Sequence, residues 1–485
     1  MYVLRIIEKV LIIYFSLYLL ADWGMYVYAL FYFLKRKSFA SRPDLNWRKV
    51  SIIVPAYNEE ISITTTVENL MQLNYPTYEI IVVNDGSGDS TLEVLRNTFF
   101  LEAVEHISAS EFTDTATVKK TYRSKQFPLW VIDKENGGKA DALNAGLRLA
   151  SGEFICTVDA DSILDRSALK EAVLPLLRDP SVIISGGQLA VANDMEIVRN
   201  RVVNARMPGK PLVIWQIVEY LKSFMISRLA FNRINALVIM SGAFSVFRKH
   251  DLTEAGGFLS PRNRHPYVLK TVGENKQTVC EDMEIVVRLR RLKKDKGEKA
   301  RTAFVPDAVC WTEVPENRRD LFKQRARWHQ GLGETLFFHR EMIFEPRYGA
   351  IGMIGLPYYL FFEFLSPVVK IFSLFFLAAA AVTGLLHGPR ILLLLAAVML
   401  ASALLTASLT LTVEYMAGRK TRALRDALRY KNFAQWLKFI FMAVSAELSY
   451  AFFKIAAQLT GIRQALQGNK DWKKFGRKGI KKRHP

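Results

Sequence analysis

Short apolar runs separated by amphipathic stretches fill the chain from about residue 49 to residue 161. Four of these runs are rich in β-branched residues and lie at positions 50–54, 80–83, 129–132 and 154–158. Near-continuous apolar strands of this kind are buried on both faces of a parallel sheet. The pattern predicts a Rossmann-like α/β domain, in which ligands bind beyond the carboxyl ends of the strands.

One longer apolar segment near the N-terminus, residues 10–34, has the length of a transmembrane helix. Its only charged residue is Asp22, and the basic triplet 35–37 follows it directly. Basic residues flanking a membrane helix stay on the cytoplasmic side. We therefore expect an uncleaved anchor whose following domain is cytoplasmic.

Three apolar segments in the last third of the chain predict further membrane helices, at residues 351–386, 391–413 and 439–453. A basic amphipathic stretch between the last two, residues 419–431, predicts an interfacial helix. A cytoplasmic domain and a basic cytoplasmic tail require an even number of crossings between them, whereas the simplest count is three. Either the first segment crosses twice, or the last does not cross, or the tail breaks the charge rule.

The expected divisions of the chain are an N-terminal transmembrane anchor, a catalytic domain with interfacial helices, a region of transmembrane and interfacial helices, and a basic cytoplasmic tail: residues 1–46, 47–345, 346–462 and 463–485. Three charged residues inside the C-terminal apolar segments are Glu363, Lys370 and Glu447. They either line a polar path through the membrane or lie at its interface.

Composition agrees with a multi-pass membrane protein of the plasma (inner) membrane. The chain has 485 residues, 50% of them hydrophobic, and a formal net charge of +20. Because its basic residues cluster beside apolar segments and no RNA-binding signature is present, the charge favours anionic lipid over nucleic acid as a partner. Cys156, Cys280 and Cys310 have neither disulfide nor zinc-ligand spacing, which predicts reduced thiols.

Asp159 and Asp161 follow the apolar run at 154–158. Alternate residues of an extended chain point to the same side, so both carboxylates are expected to face one Mg²⁺ or Mn²⁺ ion. An Asp-rich turn that closes a strand is the alternative. No Walker lysine loop or dinucleotide glycine fingerprint accompanies the pair, which argues against an ATPase or a dehydrogenase.

Two polar turns follow other predicted strands. Gly137 and Gly138 precede a helix start, where backbone amides and Lys139 can approach a phosphate closely; a plain glycine turn is the alternative. Asp85 ends the second run, where it can accept hydrogen bonds from a nucleobase, although Asp-Gly also makes ordinary turns.

Glu281 and Asp282 are adjacent carboxylates ahead of a helical run. Their repulsion can raise one pKa, which suits a general base, but acidic residues are also common in the first turn of a helix. Farther along, Gln324, Arg327 and Trp328 share one helix face. A guanidinium there suits a diphosphate and an indole suits a sugar ring. Ordinary amphipathic-helix chemistry is the alternative.

Five elements in this order resemble the family 2 inverting glycosyltransferases, and most closely their processive membrane branch of poly-N-acetylglucosamine, hyaluronan, chitin and cellulose synthases. The elements are SIIVPAYNEE at 51–60, VNDGS at 83–87, DAD at 159–161, ED at 281–282 and QRARW at 324–328. The resemblance implies a GT-A-type (Rossmann-like) α/β domain in the cytoplasm, combined with α-helical transmembrane segments. One departure is Cys280, where many of these synthases have threonine.

The resemblance also implies roles for individual residues. Glu281 and Asp282 would form the catalytic pair, with Asp282 as the base and Asp161 holding the metal beside Asp159. The acceptor would meet Ser241 and Gly242. The remaining implied contacts are uridine with Ala56, Tyr57, Glu59 and Asp85, the donor diphosphate with Lys139, Asp159 and Arg327, and the acceptor with Gln324 and Trp328.

Three functions follow as hypotheses. The first is polymerisation of a sugar from a UDP-sugar onto a glycan acceptor, giving a β-linked polysaccharide that crosses the bilayer, with accessory export subunits as further partners. The second is addition of one or a few sugars to a membrane lipid. The third is a receptor or transporter that has kept an inactive transferase fold, which intact Asp161, Asp282 and Arg327 oppose.

Overall fold

A mixed sheet of 10 strands organises the chain between residues 50 and 312. The computed structural model describes residues 2–36, 45–105, 114–383 and 388–468, without the side chains of 388–396, 398–399 and 447–448. The strands, including a separate ribbon of β9 and β10, are β1 (Val50–Ala56), β2 (Tyr78–Asp85), β3 (Leu101–Val104), β4 (Val118–Ser124), β5 (Leu129–Lys134), β6 (Phe154–Val158), β7 (Ile163–Leu164), β8 (Val182–Val191), β9 (Met195–Val198), β10 (Arg201–Ala205), β11 (Phe244–Arg248) and β12 (Arg301–Thr312).

Helices pack around the sheet and continue into the apolar C-terminal region. The α-helices are α1 (Tyr2–Lys35), α2 (Ile63–Leu70), α3 (Thr91–Phe99), α4 (Lys139–Leu149), α5 (Ala168–Arg178), α6 (Pro211–Tyr220), α7 (Ser227–Arg233), α8 (Lys249–Glu254), α9 (Pro266–Thr271), α10 (Glu281–Asp295), α11 (Arg318–Phe338), α12 (Leu356–Tyr358), α13 (Ser366–Val382), α14 (Gly388–Lys420), α15 (Arg422–Asp426), α16 (Phe433–Ser445) and α17 (Ala451–Gln467). Shorter helical turns of other types are Leu221–Ile226, Arg340–Met342, Pro346–Tyr348, Ile351–Gly355, Tyr359–Phe364 and Ala446–Tyr450.

The strand order is β3-β4-β5-β2-β1-β6-β11-β8-β12-β7. The four strands predicted from the apolar runs, β1, β2, β5 and β6, are adjacent and mutually parallel, which confirms the sequence prediction. The antiparallel strands β4 and β11 flank them and make the sheet mixed. Residues at the centre of β1, β2 and β6 are fully buried, as parallel strands covered on both faces require.

Strand direction decides which loops meet. The parallel strands β1, β2 and β6 end at one edge of the sheet. Antiparallel β11 begins at that edge, because Phe244 pairs with Val158 at the end of β6. Loops that follow β1, β2 and β6 and the loop that precedes β11 therefore lie together.

Helix α17 packs tightly against α11 of the catalytic domain. A Cβ atom at Gly461 would lie 2.4 Å from the carbonyl oxygen of Ala326, so only glycine permits this approach. Helix α17 extends to Gln467, which places the expected boundary between residues 462 and 463 inside a helix. The rest of the expected tail, residues 469–485, lies outside the described residues.

The interfacial helix expected at residues 419–431 does not form as one helix. Helix α14 extends through Lys420, α15 has only 5 residues, and the chain beyond it is irregular. Arg429 is buried and donates hydrogen bonds of 2.7 Å to the carbonyl oxygens of Arg206 and Val191. Arg429 therefore binds the chain at the ends of β8 and β10 and does not face lipid.

By length and composition, one helix of the described chain, Leu400–Lys420, can cross a membrane. The pair Ile351–Phe364 and Ser366–Val382 adds a second candidate if the 45° bend between them belongs to one span. The expected N-terminal anchor is not among these candidates and stays a prediction. It lies within the 34-residue helix α1, which exposes apolar side chains along its length.

Candidate active site

All the site residues expected from the sequence line one cavity of about 870 Å³ at the edge where β1, β2 and β6 end. These residues come from strand ends, loops and helices between residues 56 and 328. They are Ala56, Tyr57, Glu59, Asp85, Lys139, Asp159, Asp161, Ser241, Gly242, Glu281, Asp282, Gln324, Arg327 and Trp328.

Asp85 holds the glycine turn with its carboxylate. One oxygen accepts hydrogen bonds from Lys134 at 2.5 Å and from the Gly137 amide at 3.0 Å, and the other accepts from the Gly138 amide at 2.9 Å. Lys134 also pairs with the buried Asp141 at 2.7 Å. Both oxygens that were expected to meet a nucleobase therefore bind the protein, and the geometry favours a supporting role for Asp85.

The turn held by Asp85 leads into helix α4, which begins at Lys139. Gly138 has a φ of 87°, a conformation that favours glycine. Lys139 and Ala140, in the first turn of α4, line the cavity, and amides of a first helical turn have no partner within their own helix. Together with Lys139, this arrangement suits a phosphate group.

Lys139 bridges two acidic residues on different elements. Its Nζ atom lies 2.7 Å from Asp159 and 2.8 Å from Glu281. Burial would lower the pKa of Lys139, but Asp159, Glu281 and Asp282 outweigh it and hold the pKa above the ordinary value. A lysine so placed is a fixed positive charge in the centre of the site.

Asp159 and Asp161 lie in a turn, because the Ser162 amide donates a 3.0 Å hydrogen bond to the carbonyl oxygen of Asp159. The expectation that they share one side of an extended segment is therefore wrong in its geometry, although both line the cavity. Two carboxylates beside a helix start that suits phosphate make a donor set of hard oxygens. This set fits Mg²⁺ or Mn²⁺ shared with a diphosphate.

Asp282 lies in the first turn of α10 and faces the loop before β11. Its Oδ2 atom accepts a 2.8 Å hydrogen bond from the Gly242 amide. A Cβ atom at position 242 would lie 3.0 Å from the Lys139 Nζ atom, so glycine keeps the site open. Burial and then Glu281 raise the pKa of Asp282 to about 6, as expected for a general base.

Helix α11 carries the remaining expected residues into the cavity. Trp328 lies there with its ring 5.8 Å from that of Phe224 and 6.4 Å from that of Tyr220, both in edge or tilted contact. The side chain of Gln324 accepts a 2.5 Å hydrogen bond from Arg325. Arg325 also lies 4.2 Å from the centre of the Trp328 ring, which fixes one face of the indole.

Two family models match consecutive parts of the chain. "Glycosyl transferase family 2" covers residues 51–103, and "Glycosyltransferase like family 2" covers residues 102–331. The chain belongs to the family 2 glycosyltransferases. It is therefore an enzyme, and the family recognised from the motifs is confirmed.

Two bacterial relatives of this glycosyltransferase are named poly-beta-1,6-N-acetyl-D-glucosamine synthase. That of Staphylococcus aureus is 27% identical over 311 residues, 63% of this chain and 61% of the relative. That of Staphylococcus epidermidis is 26% identical over 287 residues, 59% of this chain and 55% of the relative. The match thus spans little more than half the length of these curated relatives.

A solved structure confirms the expected GT-A-like α/β fold. It is the mannosyltransferase PcManGT from Pyrobaculum calidifontis in complex with GDP-Man and Mn²⁺. The TM-score is 0.55 at 21% sequence identity, over 96% of this chain and 100% of that chain.

Several cavity residues of the glycosyltransferase were missed by sequence reasoning. Glu219 forms a buried ion pair with Arg325, with its carboxylate 2.5 Å from the guanidinium. Tyr220, Phe224 and Arg228 follow on the same stretch and line the cavity. A signal was present, because Glu219, Lys222 and Arg228 are charged residues in a largely apolar run, and charged residues are rarely fully buried unless they are paired.

A second cluster of possible metal ligands, His250, Asp251 and Glu254, lies at the opposite edge of the sheet. Helix α8, which carries it, begins after Arg248, and Arg248 pairs with Phe154 at the start of β6. Lys293 lies 2.6 Å from Asp251 and neutralises the cluster. This cluster is a surface ion-pair group remote from the cavity.

Proposed function

We propose that this enzyme is a membrane-embedded, inverting hexosyltransferase that polymerises a sugar from a UDP-sugar into a β-linked polysaccharide. The product would be of the poly-N-acetylglucosamine or glucan type, and the enzyme would pass it across the membrane. One observation carries the proposal: the general-base candidate Asp282, the aromatic surface of Trp328 and side chains of the apolar helices line the same cavity.

In the proposed reaction, Asp282 accepts the proton of the acceptor hydroxyl while that oxygen attacks the anomeric carbon of the donor. The new glycosidic bond forms as the bond to the diphosphate breaks, which inverts the anomeric configuration. The Gly242 amide holds the carboxylate of Asp282 in place, and Arg327, which lines the cavity, would bind the departing diphosphate. Asp282 takes up the proton, and the electron pair of the broken bond leaves with UDP.

Asp161 and Asp159 would hold a divalent cation, which supplies charge stabilisation of the leaving diphosphate when bound. Asp159 already has Lys139 as a partner at 2.7 Å. The positive charge of Lys139 therefore partly neutralises the carboxylate of Asp159. The amides at the start of α4 add further donors for phosphate oxygens.

Translocation is supported by what lines the rest of the cavity. Tyr18 of α1 and four residues of the C-terminal helices, Phe362, Glu363, Lys370 and Gln458, border the same space as Asp282. Mixed aromatic and polar side chains suit a sugar chain, which has both apolar faces and hydroxyl edges. Under this proposal the catalytic domain lies on the cytoplasmic side of the plasma membrane and α1 is a membrane anchor.

The proposal is tested with purified enzyme in proteoliposomes supplied with UDP-N-acetylglucosamine, UDP-glucose or UDP-glucuronate. UDP release and product length are measured together. Polymer is the expected product; a short glycolipid would support the lipid-modifying alternative, and absence of UDP release with every donor would overturn both.

Two variants test the residue assignments. Asp282→Asn should lower turnover by about 10²- to 10⁴-fold, the range for loss of a general base. Asp295→Asn, on the same helix but outside the cavity, is the matched control and should keep turnover. Trp328→Ala should weaken acceptor use more than donor binding, so equal losses in both would contradict its acceptor role.

A further inference from the structure

Arg228 is a buried guanidinium that no described residue pairs with. The residue is 2% exposed and lies on α7 in the wall of the cavity. Its Nε and one terminal nitrogen have no hydrogen-bond partner in the part of the chain that the structure describes. Its guanidinium lies over the ring of Phe224, whose centre is 4.6 Å away.

Other fully buried arginines of this enzyme have protein partners. Arg288 binds Glu284 at 2.7 Å and Arg325 binds Glu219 at 2.5 Å, whereas Arg290 donates to the side-chain and backbone oxygens of Asn235 at 2.7 and 3.0 Å. An unpaired buried charge is unfavourable, and Arg228 remains charged at neutral pH, since burial lowers its pKa only to about 10. The difference indicates that the partner of Arg228 is a ligand and not the protein.

The position of Arg228 indicates which substrate its ligand belongs to. Its ring partner Phe224 is in edge contact with Trp328 at 5.8 Å. The guanidinium therefore lies on the acceptor side of the cavity, beyond the aromatic surface on which a sugar would stack. A planar guanidinium binds planar oxygen groups, such as acyl or carboxyl groups, better than it binds single hydroxyls.

We propose that Arg228 determines acceptor specificity by binding the acyl or carboxyl oxygen of a substituent on the acceptor sugar. This inference rests on the proposed function, because it assumes a glycan in the acceptor site. Arg228 selects N-acylated or acidic sugars over sugars with a free amine, because its positive charge repels the positive charge of the amine.

The test measures direct binding of three oligosaccharide series by calorimetry, so it does not depend on turnover. The series are N-acetylglucosamine oligomers, their N-deacetylated forms and hexuronate-containing oligomers. The wild-type enzyme should bind the N-acetylated or the acidic series at least about tenfold more tightly than the deacetylated series, and the preferred series identifies the substituent. Equal binding of all three, or binding of none, would overturn the inference.

Arg228→Met keeps the contact with Phe224 but removes the charge, and it should reduce the preference to below about twofold. Arg228→Lys keeps a charge without the planar fork and should give an intermediate preference. Arg233→Met, an exposed arginine of the same helix, is the control and should leave the preference unchanged. Retained affinity for UDP shows that each variant is folded, and an unchanged preference in both Arg228 variants would refute the role. Failure of polymerisation with intact glycan selectivity would count against the proposed function alone.

Discussion

Replacing Glu219 with Gln should loosen the wall of the acceptor site. The carboxylate of Glu219 is the common partner of three side chains. Arg325 approaches it at 2.5 Å, the Tyr450 hydroxyl donates to it at 2.9 Å, and Lys454 lies 3.7 Å away. Gln would keep the shape but leave two positive charges without their counter-charge.

The expected cost follows from the geometry. Two unit charges about 4 Å apart interact by about 4 kcal/mol at the effective dielectric of a partly buried site. Removal of one member of a buried pair typically costs about 3–5 kcal/mol, which agrees with that figure. Arg325 also covers the ring of Trp328 at 4.2 Å, a contact of about 0.5–2 kcal/mol. If that contact is lost, the acceptor KM should rise about 2- to 30-fold.

Thermal unfolding in detergent measures the loss of stability, and steady-state kinetics measure the change in acceptor KM. Glu219→Gln should unfold several degrees lower and should have a raised acceptor KM with little change in donor KM. The double variant Glu219→Met with Arg325→Met should recover most of the stability, because it removes both charges, yet keep the raised acceptor KM.

The pH dependence of stability gives an independent check. Arg325 and Lys454 outweigh burial and lower the pKa of Glu219 below its ordinary value of 4.5. A lowered pKa means that the pair stabilises the fold fully above about pH 4.5 and loses this contribution as pH falls through the folded-state pKa. Unchanged unfolding of Glu219→Gln, or a double variant with a normal acceptor KM, would refute the reasoning.

Three further predictions concern the base, the metal and the contact between α10 and α11. Because burial and Glu281 raise the pKa of Asp282 to about 6, kcat/KM should fall about tenfold per pH unit below that value, and a flat pH–rate profile would exclude Asp282 as the base. Chelation with EDTA should abolish transfer, and Asp161→Asn should raise the Mn²⁺ concentration for half-maximal rate at least about tenfold, measured by UDP release. A Cβ atom at Gly331 would lie 2.4 Å from the Cys280 sulfur, so Gly331→Ala should displace α10 and lower turnover, whereas Cys280→Gly in the same chain should restore part of it.

The parallel strands and the convergence of the motifs were predictable from sequence. Strand β6 occupies the residues that its apolar run predicts, and the other three predicted strands extend by a few residues at their ends. Polar clusters at the ends of parallel strands must meet at one edge, so strand direction alone brings Asp85 close to Asp159. The distant motifs at Asp282 and Trp328 required the family resemblance, because nothing local in the chain indicates where α10 and α11 pack.

Two of the differences between expectation and structure involve a partner remote in sequence, whereas the third is local. Asp85 binds Lys134, which no local pattern associates with it. Arg429 caps carbonyl groups of the catalytic domain, and amphipathicity alone cannot distinguish that use from contact with lipid. Asp159 and Asp161 lie in a turn, because strand β6 ends at Val158, before either of them.

The C-terminal helices complete the wall of the proposed acceptor site. Tyr450, just before α17, and Lys454, within α17, contact Glu219. Glu219 in turn pairs with Arg325, which lies over the indole of Trp328. A displacement of α17 would therefore change the surroundings of the acceptor sugar, because direct contacts connect α17 through Glu219 and Arg325 to Trp328. The boundary expected near residue 345 divides the sequence by composition, but the catalytic cavity includes both sides of it. In a processive synthase, these same contacts would affect both the elongation of the polysaccharide and its passage toward the membrane.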